Sequence, residues 1–300
     1  MSNALKVDVC ICTYRRLSLM QTLQSIAAQC LPADIRVRVI VADNDDALSA
    51  RPIVERARVE LALDCIYVEA PARNISVARN RCLATTDAAL FAFIDDDEIA
   101  TPEWLAELIG AWRASGAAVI FGPVQAVYGT GPAWLREADL HSIRPVFLGD
   151  GSIDTGYACN VLLDRAALAE TLASCRFDPA LGRSGGEDTF FFHSLHAAGA
   201  RLVFCPTAVV REAVTPNRSR LDWLLKRFFR SGQTFGRVLL SRRRRRVPAL
   251  TLAMAKVSFC LVQAALRAGS PVGWRRWLVR AALHAGVVSR LAGIRDLQLY

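Results

Sequence analysis

The 300-residue sequence is 53% hydrophobic and 22% charged, a composition that supports a well-buried core and excludes a largely disordered chain. Its length has room for one large α/β domain with an appendage, or for two small domains. The net charge of +9 belongs to the C-terminal part, because residues 1–215 carry 19 basic against 26 acidic residues and residues 216–300 carry 18 against 2. This asymmetry predicts an anionic partner for that part, such as a membrane surface, a nucleic acid or another polyanion.

Over the first 120 residues, short apolar runs alternate with helical patterns, which is typical of a mostly parallel sheet with crossover helices. The predicted strands are 7–12, 37–42, 65–68, 89–94 and 119–121. The predicted helices are 17–29, 52–62, one capped by Ser76 and one opened by Pro102. The sequence therefore predicts an α/β fold.

The pattern weakens at 125–157, where glycines and prolines indicate loops. Helical patterns return at 165–172 and 189–198. A basic helical stretch at 218–237 then leads to the arginine run Arg242–Arg246, an apolar segment at 247–268 and an amphipathic stretch at 274–294.

The nine cysteines include no Cys-x-x-Cys pair and no cluster with zinc-site spacing. Cys10 and Cys12 point to the same face of a predicted strand, which favours core packing. Reduced thiols fit a cytosolic protein, and the N-terminus shows no signal-peptide pattern.

Acidic motifs follow two of the predicted strands, where ligands bind in a doubly wound sheet. One strand ends in Asp43-Asn44-Asp45-Asp46, and another runs directly into Asp95-Asp96-Asp97-Glu98. Like charges at this density raise one another's pKa or recruit a metal ion, and carboxylates are the ligands that Mg²⁺ and Mn²⁺ prefer. The alternative interpretation is a solvated acidic turn followed by a helix cap at Thr101.

A further acidic pair occurs in Gly185-Gly186-Glu187-Asp188, directly before a predicted helix. Acids in a first helical turn complement the helix dipole, so capping is one interpretation. The two glycines would also let the backbone approach a ligand, and a carboxylate at this position could act as a general base.

These motifs, taken in order, resemble glycosyltransferase family 2, the large inverting family of nucleotide-sugar transferases. The matching segments are 9–16, Asp43-Asn44, 74–80, 93–98 and 185–188, and they cover roughly residues 6 to 215. The finer pattern resembles bacterial enzymes that build exopolysaccharide repeat units on lipid carriers, such as succinoglycan-type glucosyltransferases. The resemblance implies a GT-A fold, that is, a Rossmann-like and mostly parallel sheet with flanking helices.

The resemblance also implies roles for individual residues. The base that deprotonates the acceptor hydroxyl is Asp188, and Glu187 orients the base or the acceptor. The metal ion, Mn²⁺ or Mg²⁺, is held by Asp97 and Asp95. The implied donor-binding residues are Thr13, Tyr14, Arg16, Asp43, Arg79, Asp95 and Asp96, with Arg79 near the diphosphate or, alternatively, in a surface salt bridge.

The sequence departs from parts of the family pattern. Some relatives carry a metal-binding His where this chain has Glu212, which could substitute for it. The Gln-x-x-Arg-Trp motif of processive relatives is absent, which favours addition of a single sugar. His193 and His196 lie on a predicted helix with a buried face, and we interpret them as structural.

The apolar segment 247–268 is about long enough to cross a bilayer. Lys256 near its middle would cost about 2.5–3.5 kcal/mol there, so an interfacial or re-entrant helix pair is favoured. Trp274 and Trp277 with neighbouring arginines suit a headgroup-level anchor, and the arginine run indicates the cytoplasmic leaflet. The alternative is that these helices pack on the domain or drive oligomerisation.

We therefore predict a nucleotide-sugar-binding half at 1–124, an acceptor-binding and catalytic half at 125–215, and a membrane-associating tail at 216–300. The expected activity is transfer of one sugar from a UDP-sugar, by default UDP-glucose, to a glycan or lipid-linked acceptor at the cytoplasmic face of the inner membrane, where anionic lipids are the expected partner. The alternatives are a nucleic-acid or polyanion binder, although no nucleic acid is expected, and a sugar nucleotidyltransferase.

Overall fold

The computed structural model describes residues 4–241 and 246–297. Its strands are β1 (Leu5–Thr13), β2 (Ile35–Asp43), β3 (Cys65–Glu69), β4 (Leu90–Ile94), β5 (Glu98–Ala100), β6 (Val119–Phe121), β7 (Val124–Val127), β8 (Asn160–Asp164), β9 (Leu202–Phe204) and β10 (Val210–Ala213). Its helices are α1 (Leu19–Ala27), α2 (Arg51–Glu60), α3 (Ile75–Thr85), α4 (Trp104–Ser115), α5 (Ala133–Ala138), α6 (Ala169–Ser174), α7 (Glu187–Ala197), α8 (Leu221–Ser241), α9 (Arg246–Leu266) and α10 (Gly273–Leu291).

The main sheet has seven strands in the order β3-β2-β1-β4-β8-β6-β9. Four of its pairings are parallel, and only β8 runs antiparallel to its neighbours β4 and β6. The predicted mostly parallel α/β sheet is therefore confirmed. The five predicted strands are present as β1, β2, β3, β4 and β6.

The central strands are buried on both faces, as the near-continuous apolar runs in their sequences require. Every residue of β4 is buried, and β1 is buried from Val7 to its end. Helices α1, α3 and α4 direct apolar residues to the sheet, and Trp104 is fully buried among them. The strand ends that carry the acidic motifs are thereby fixed to a rigid layer.

A smaller sheet in the order β5-β10-β7 lies directly after the acidic motif. Strand β5 begins at Glu98, the last residue of that motif, and pairs antiparallel with β10. Their register places Glu212 opposite Glu98. The chain therefore brings a fifth acidic residue to the end of the Asp95–Glu98 run.

Several predicted elements need correction. Helix α3 is capped by Asn74 rather than Ser76, since the Asn74 side chain accepts hydrogen bonds from the backbone N–H groups of Ser76 and Val77. The segment predicted as loops at 125–157 contains most of β7 and all of α5. The helix predicted at 165–172 begins only at Ala169, after a turn in which the Asp164 side chain accepts from the backbone N–H of Ala167.

The described residues form two compact units. One contains the chain up to Ala126 together with Ser142–Arg183 and Glu187–Glu212. The other contains Val127–His141, Ser184–Gly186 and the chain from Ala213 onward. The functional division at 124 and 215 stays a prediction, and Arg242–Arg245 of the arginine run lie outside the described residues.

In the second unit, α8 and α10 cross in close contact through glycines. A Cβ atom on Gly232 would lie 1.8 Å from the Leu283 carbonyl oxygen, and one on Gly286 would lie 1.9 Å from that of Phe229. Gly185 and Gly186 have φ angles of 82° and 87°, and a side chain on either would collide with Arg230 or Thr234 of α8. The contact with α8 therefore gives these two glycines a packing role, beside the predicted approach to a ligand.

Helix α9 buries two small residues and exposes most of its large apolar residues. Ala253 and Cys260 are buried, whereas Val247 and Leu266 are 72% and 73% exposed. The exposed large residues form two series with a spacing of seven, 247/254/261 and 252/259/266, with Val262 between them. They share one side of the helix, which we name the apolar face of α9. Its members are Val247, Leu252, Met254, Phe259, Leu261, Val262 and Leu266. Among the described residues, α9 is the one helix long and apolar enough to cross a membrane by length and composition.

Candidate active site

The strand-end motifs meet at one edge of the main sheet. Thr13 is the register partner of Asp43, and β4 pairs with the other side of β1. The Thr13 hydroxyl donates a hydrogen bond of 2.7 Å to Asp96 Oδ2. The motif at the end of β1 is therefore joined directly to the acidic run after β4, as the sequence predicts for ligand-binding strand ends.

The acidic run folds back on itself and meets β8. Glu98 is buried, and its Oε2 accepts a 2.9 Å hydrogen bond from the backbone N–H of Asp95. Cys159, which directly precedes β8, joins them, so that one potential ligand atom from each of the three residues lies within 4.8 Å of the other two. This cluster combines two strand ends that are 64 residues apart in sequence.

The surroundings of this run disfavour the ionised form of its carboxyl groups and so raise their pKa values. Asp95 is 43% exposed, yet its carboxyl group lies in a dense shell of protein that raises its pKa to about 7, with Asp97 and Asp96 adding to the rise and Arg79 opposing it. Burial likewise raises the pKa of Asp96 to about 6, against the hydrogen bond from Thr13. Burial, with the charge of Asp95, also raises the pKa of Glu98. Burial and mutual repulsion thus both disfavour the ionised form of these three carboxyl groups.

A divalent cation fits this set of oxygen ligands. Carboxylate oxygens are the ligands that Mg²⁺ and Mn²⁺ prefer, and a cation would offset the burial and the repulsion that raise these pKa values. Asp97 lies in the same run, with its Oδ2 3.4 Å from Arg16 Nη2. Glu212 contributes to the raised pKa of Asp95, which places its charge close to the same group.

Arg79 is buried between two acidic segments. Its Nη1 lies 2.5 Å from Glu187 Oε1, and its Nη2 lies 3.8 Å from Asp95 Oδ1. Burial alone would lower the pKa of Arg79, but Glu187, Asp95 and Asp188 more than offset this and raise it. The alternative of a surface salt bridge is therefore wrong, because both side chains of the Arg79–Glu187 pair are only 7% exposed.

Asp188 lies at the beginning of α7, next to this buried pair. Its Oδ1 accepts a 2.6 Å hydrogen bond from the backbone N–H of Thr189, and its side chain is half-buried. Burial raises the pKa of Cys159, and the charges of Glu98, Asp95, Asp188 and Glu212 raise it further. Asp188 therefore belongs to the same electrostatic cluster as the strand-end carboxylates.

The ends of β1 and β2 differ in the exposure of their polar residues. Asp43 is fully buried, and its carboxylate accepts hydrogen bonds from the backbone N–H groups of Asp45 and Ala50 and from the Tyr67 hydroxyl. It thus holds the turn after β2, and a direct contact with a donor stays a prediction. Tyr14 is 38% exposed at the end of β1 and stacks with the Arg15 guanidinium.

The motif at 74–80 has a second use that sequence reasoning missed. The side chains of Asn74 and Ser76 donate hydrogen bonds to the carbonyl oxygens of Pro179 and Asp178. The Asn80 amide bonds both the N–H and the C=O of Phe177. The polar residues of α3 therefore hold segment 177–182 against the helix, and Arg79 lies among them.

Sequence reasoning also missed Cys159 and underrated Glu98. No spacing rule connects a cysteine at the start of a short strand with acids that follow a distant one, and only the antiparallel insertion of β8 brings them together. His193 Nδ1 lies 3.3 Å from the Asp154 carbonyl oxygen, which agrees with a structural interpretation.

Comparison with known proteins gives a consistent answer. The family model for glycosyl transferase family 2 matches residues 8–172. The succinoglycan biosynthesis protein ExoM of Rhizobium meliloti (strain 1021) is 47% identical over 302 residues, an alignment that covers 100% of this chain and 97% of that protein.

Solved structures share the fold at lower identity. The mannosyltransferase PcManGT from Pyrobaculum calidifontis, in complex with GDP-Man and Mn²⁺, has a TM-score of 0.62 and 21% identity, and the match covers 96% of this chain and 88% of that one. Residues 1–349 of TarS from S. aureus, in complex with UDP-GlcNAc, have a TM-score of 0.57 and 16% identity, with 97% and 93% covered. The GT-A fold is thus confirmed, and from its family-model match and its full-length relative, the chain belongs to glycosyl transferase family 2.

Proposed function

We propose that the protein transfers a single sugar from a UDP-sugar to an acceptor hydroxyl, with inversion at the anomeric carbon and with the help of a divalent metal ion. The observation that carries this proposal is the convergence of Asp95, Glu187 and Asp188 on the buried Arg79. Similar folds bind UDP-GlcNAc in TarS, and GDP-Man with Mn²⁺ in PcManGT. The full-length relative is a succinoglycan biosynthesis protein, which supports an acceptor in polysaccharide synthesis.

Asp188 is the proposed general base. It takes the proton from the acceptor hydroxyl while that oxygen forms a bond to the anomeric carbon, and the bond from this carbon to the nucleoside diphosphate breaks. One displacement inverts the configuration, so an α-linked donor gives a β-glycoside. Glu187 acts as a positioning residue, because its carboxylate is engaged by Arg79 one residue before the base.

Asp95 and Asp97 would hold the metal ion, and Glu212 is a further acidic residue near them. Such an ion, when bound, stabilises the negative charge on the departing diphosphate. Arg79 fixes Asp95 and Glu187 relative to one another, and it also stays our proposed cation near the diphosphate.

The remaining proposed donor contacts lie on the β1 and β2 strand ends. Tyr14 offers an exposed ring, and Arg16 is 41% exposed beside Asp96 and Asp97. Thr13 fixes Asp96 by its hydrogen bond, and Asp43 shapes the following turn. We propose that the nucleoside binds against these two strand ends.

We further propose that the protein works at the cytoplasmic face of the inner membrane, on a glycan or lipid-linked acceptor. The support comes from α9, whose most apolar 18-residue stretch is only 11% buried. Burial lowers the pKa of His284 on α10, and the charge of Lys256 lowers it further, which places a basic residue of α9 near that helix. An apolar face with basic residues beside it fits an anionic bilayer better than a nucleic acid.

Calorimetric titration of the full chain with UDP, in Mn²⁺ and then in EDTA, tests the donor site. We expect binding that depends on Mn²⁺ and is lost in Asp97→Ala. Asp87→Ala is the matched control, because Asp87 is 73% exposed at the opposite end of the β4 strand. Absence of any nucleotide binding in the folded wild type would overturn the proposal, whereas binding of a different nucleoside diphosphate would change only the donor.

A further inference from the structure

Arg16 lies in a short loop, residues 14–17, that is anchored on both sides to the acidic run after β4. Before the loop, the Thr13 hydroxyl donates a 2.7 Å hydrogen bond to Asp96 Oδ2. After it, the Ser18 hydroxyl donates a 3.0 Å hydrogen bond to the Asp96 carbonyl oxygen. The two anchors keep the backbone of Arg16 beside the acidic run, while its side chain is 41% exposed at the surface.

The Arg16 guanidinium lies close to two carboxylates of this run. Its Nη2 is 3.4 Å from Asp97 Oδ2, and its Nε is 3.7 Å from Asp96 Oδ1. Both separations exceed the roughly 2.7–2.9 Å of a charge-assisted hydrogen bond between a guanidinium and a carboxylate. The two ion pairs are therefore held by charge rather than by directed hydrogen bonds, and in a partly exposed position little free energy opposes their separation.

Arg79 approaches the same run from inside the protein and is held more firmly. Its side chain is only 7% exposed, and its Nη1 lies 2.5 Å from Glu187 Oε1, while its Nη2 lies 3.8 Å from Asp95 Oδ1. Moving Arg79 would separate a buried ion pair, which is strongly unfavourable. Of these two arginines, Arg16 is therefore the one whose side chain can change partners.

A divalent cation on Asp97 would compete with Arg16 for the same carboxylate. Mg²⁺ binds carboxylate oxygens at about 2.0–2.1 Å and takes phosphate oxygens of a substrate as further ligands. Two cations at one carboxylate repel each other, so the more loosely held guanidinium is the one that leaves. A diphosphate that shares the ion lies within reach of Arg16, whose planar set of N–H donors matches phosphate oxygens.

We propose that Arg16 exchanges partners during donor binding: it pairs with Asp97 before the divalent cation binds and with the donor diphosphate afterwards. The inference rests on the proposed function, in which Asp97 holds the ion, and it adds a coupling between the ion and the donor. Because the ion has to displace Arg16, it binds weakly by itself. Because Arg16 then pairs with the diphosphate, ion and nucleotide each bind more tightly when the other is present.

The test compares Mn²⁺ and UDP titrations of the full chain, with free Mn²⁺ measured by electron paramagnetic resonance and UDP binding measured by calorimetry. Arg16→Gln should bind Mn²⁺ alone about two- to fivefold more tightly than the wild type, because the competing exposed ion pair is removed. In saturating Mn²⁺ it should bind UDP at least tenfold more weakly, because a charge-assisted contact with the diphosphate is lost. An arginine that contacted only the donor would leave the affinity for Mn²⁺ alone unchanged.

Arg15→Gln is the matched control, because it removes the same charge from the neighbouring position. The Nε of Arg15 lies 3.0 Å from Asp45 Oδ1, in the turn after β2, so this arginine pairs with a different carboxylate. The variant should bind Mn²⁺ alone within twofold of the wild type. Arg16→Lys keeps the charge, and it should also bind Mn²⁺ like the wild type, with a UDP affinity between those of the wild type and Arg16→Gln.

Three results would overturn the inference. They are an Mn²⁺ affinity of Arg16→Gln equal to or below that of the wild type, an equal gain in Arg15→Gln, and a wild-type UDP affinity of Arg16→Gln. A folded wild-type protein that binds neither Mn²⁺ nor UDP would instead overturn the proposed function on which the inference rests. The two failures are therefore distinguishable.

Discussion

Replacing Asp96 by Asn should stabilise the metal-free protein while impairing its activity. Asp96 is 10% exposed, accepts from Thr13, and has a pKa of about 6 against an ordinary value of 3.8. A carboxyl group whose pKa is raised on folding binds its proton more tightly in the folded state. Its stabilising contribution is therefore complete below pH 3.8 and is lost as the pH rises through 6.

The size of this loss follows from the two pKa values. Each unit of pKa corresponds to 1.36 kcal/mol, so ionised Asp96 costs about 3 kcal/mol at neutral pH. An Asn side chain has the same shape and no charge, and its amide can donate to the Thr13 hydroxyl while its oxygen accepts from the Tyr14 backbone N–H. We expect Asp96→Asn to exceed the wild type by about 2–3 kcal/mol at pH 8 and to match it near pH 4.

The assay is urea unfolding in EDTA at several pH values between 4 and 8, with Asp87→Asn, an exposed carboxylate, as the control. The gap between Asp96→Asn and the wild type should open between pH 4 and pH 7 and then stay constant. A gap that is the same at pH 4.5 and pH 8 would show that Asp96 ionises normally in the folded protein, and the reasoning would be refuted.

Further predictions concern single side chains. Glu187→Gln should lower the free energy of unfolding by about 3 kcal/mol. This is the low end for a broken buried ion pair, because a second carboxylate remains near Arg79. The control Glu69→Gln, at an exposed position, should show no measurable change in the free energy of unfolding, and equal effects of the two substitutions would contradict the burial argument. Asp188→Asn should lower kcat by about 10²–10⁴ with UDP affinity unchanged in calorimetry, and a wild-type kcat would exclude it as the base. Gly286→Ala should destabilise the protein in thermal unfolding by about 1–3 kcal/mol through overpacking. Gly110→Ala, with open space around it, should stabilise the protein by up to about 1 kcal/mol. A Gly286→Ala variant more stable than Gly110→Ala would contradict the close crossing of α8 and α10.

The sequence predicts the long elements because their patterns are long. β1, β2 and β4 contain buried and mostly apolar runs of five or more residues, and α8, α9 and α10 extend over 19 to 21 residues each. Strands of three or four residues, such as β9 and β10, are too short to show a period. They form because neighbouring strands supply hydrogen-bonding partners, which is a property of the assembled sheet.

The residues of the candidate site that follow a strand were predictable from the sequence. Those that depend on contacts between elements distant in sequence were not. Asp95 and Asp96 follow a recognisable strand, so their position at the sheet edge could be inferred. The burial of Arg79 could not, because α3 has no clear apolar face and its arginine reads as a surface residue. The carboxylates of Glu187 and Asp188, supplied by a distant helix, together with Asp95 make that burial favourable.

This pairing also constrains the order in which the chain acquires its structure. Strands β1, β2, β3 and β4 with α3 are complete by residue 94, but the counter-ion of Arg79 follows it by 108 positions in the chain. Until Glu187 leaves the ribosome, the N-terminal half holds an arginine that it cannot bury with its partner. We expect that half to stay loosely packed around α3 during synthesis, so that the site closes only when nearly two thirds of the protein has been made.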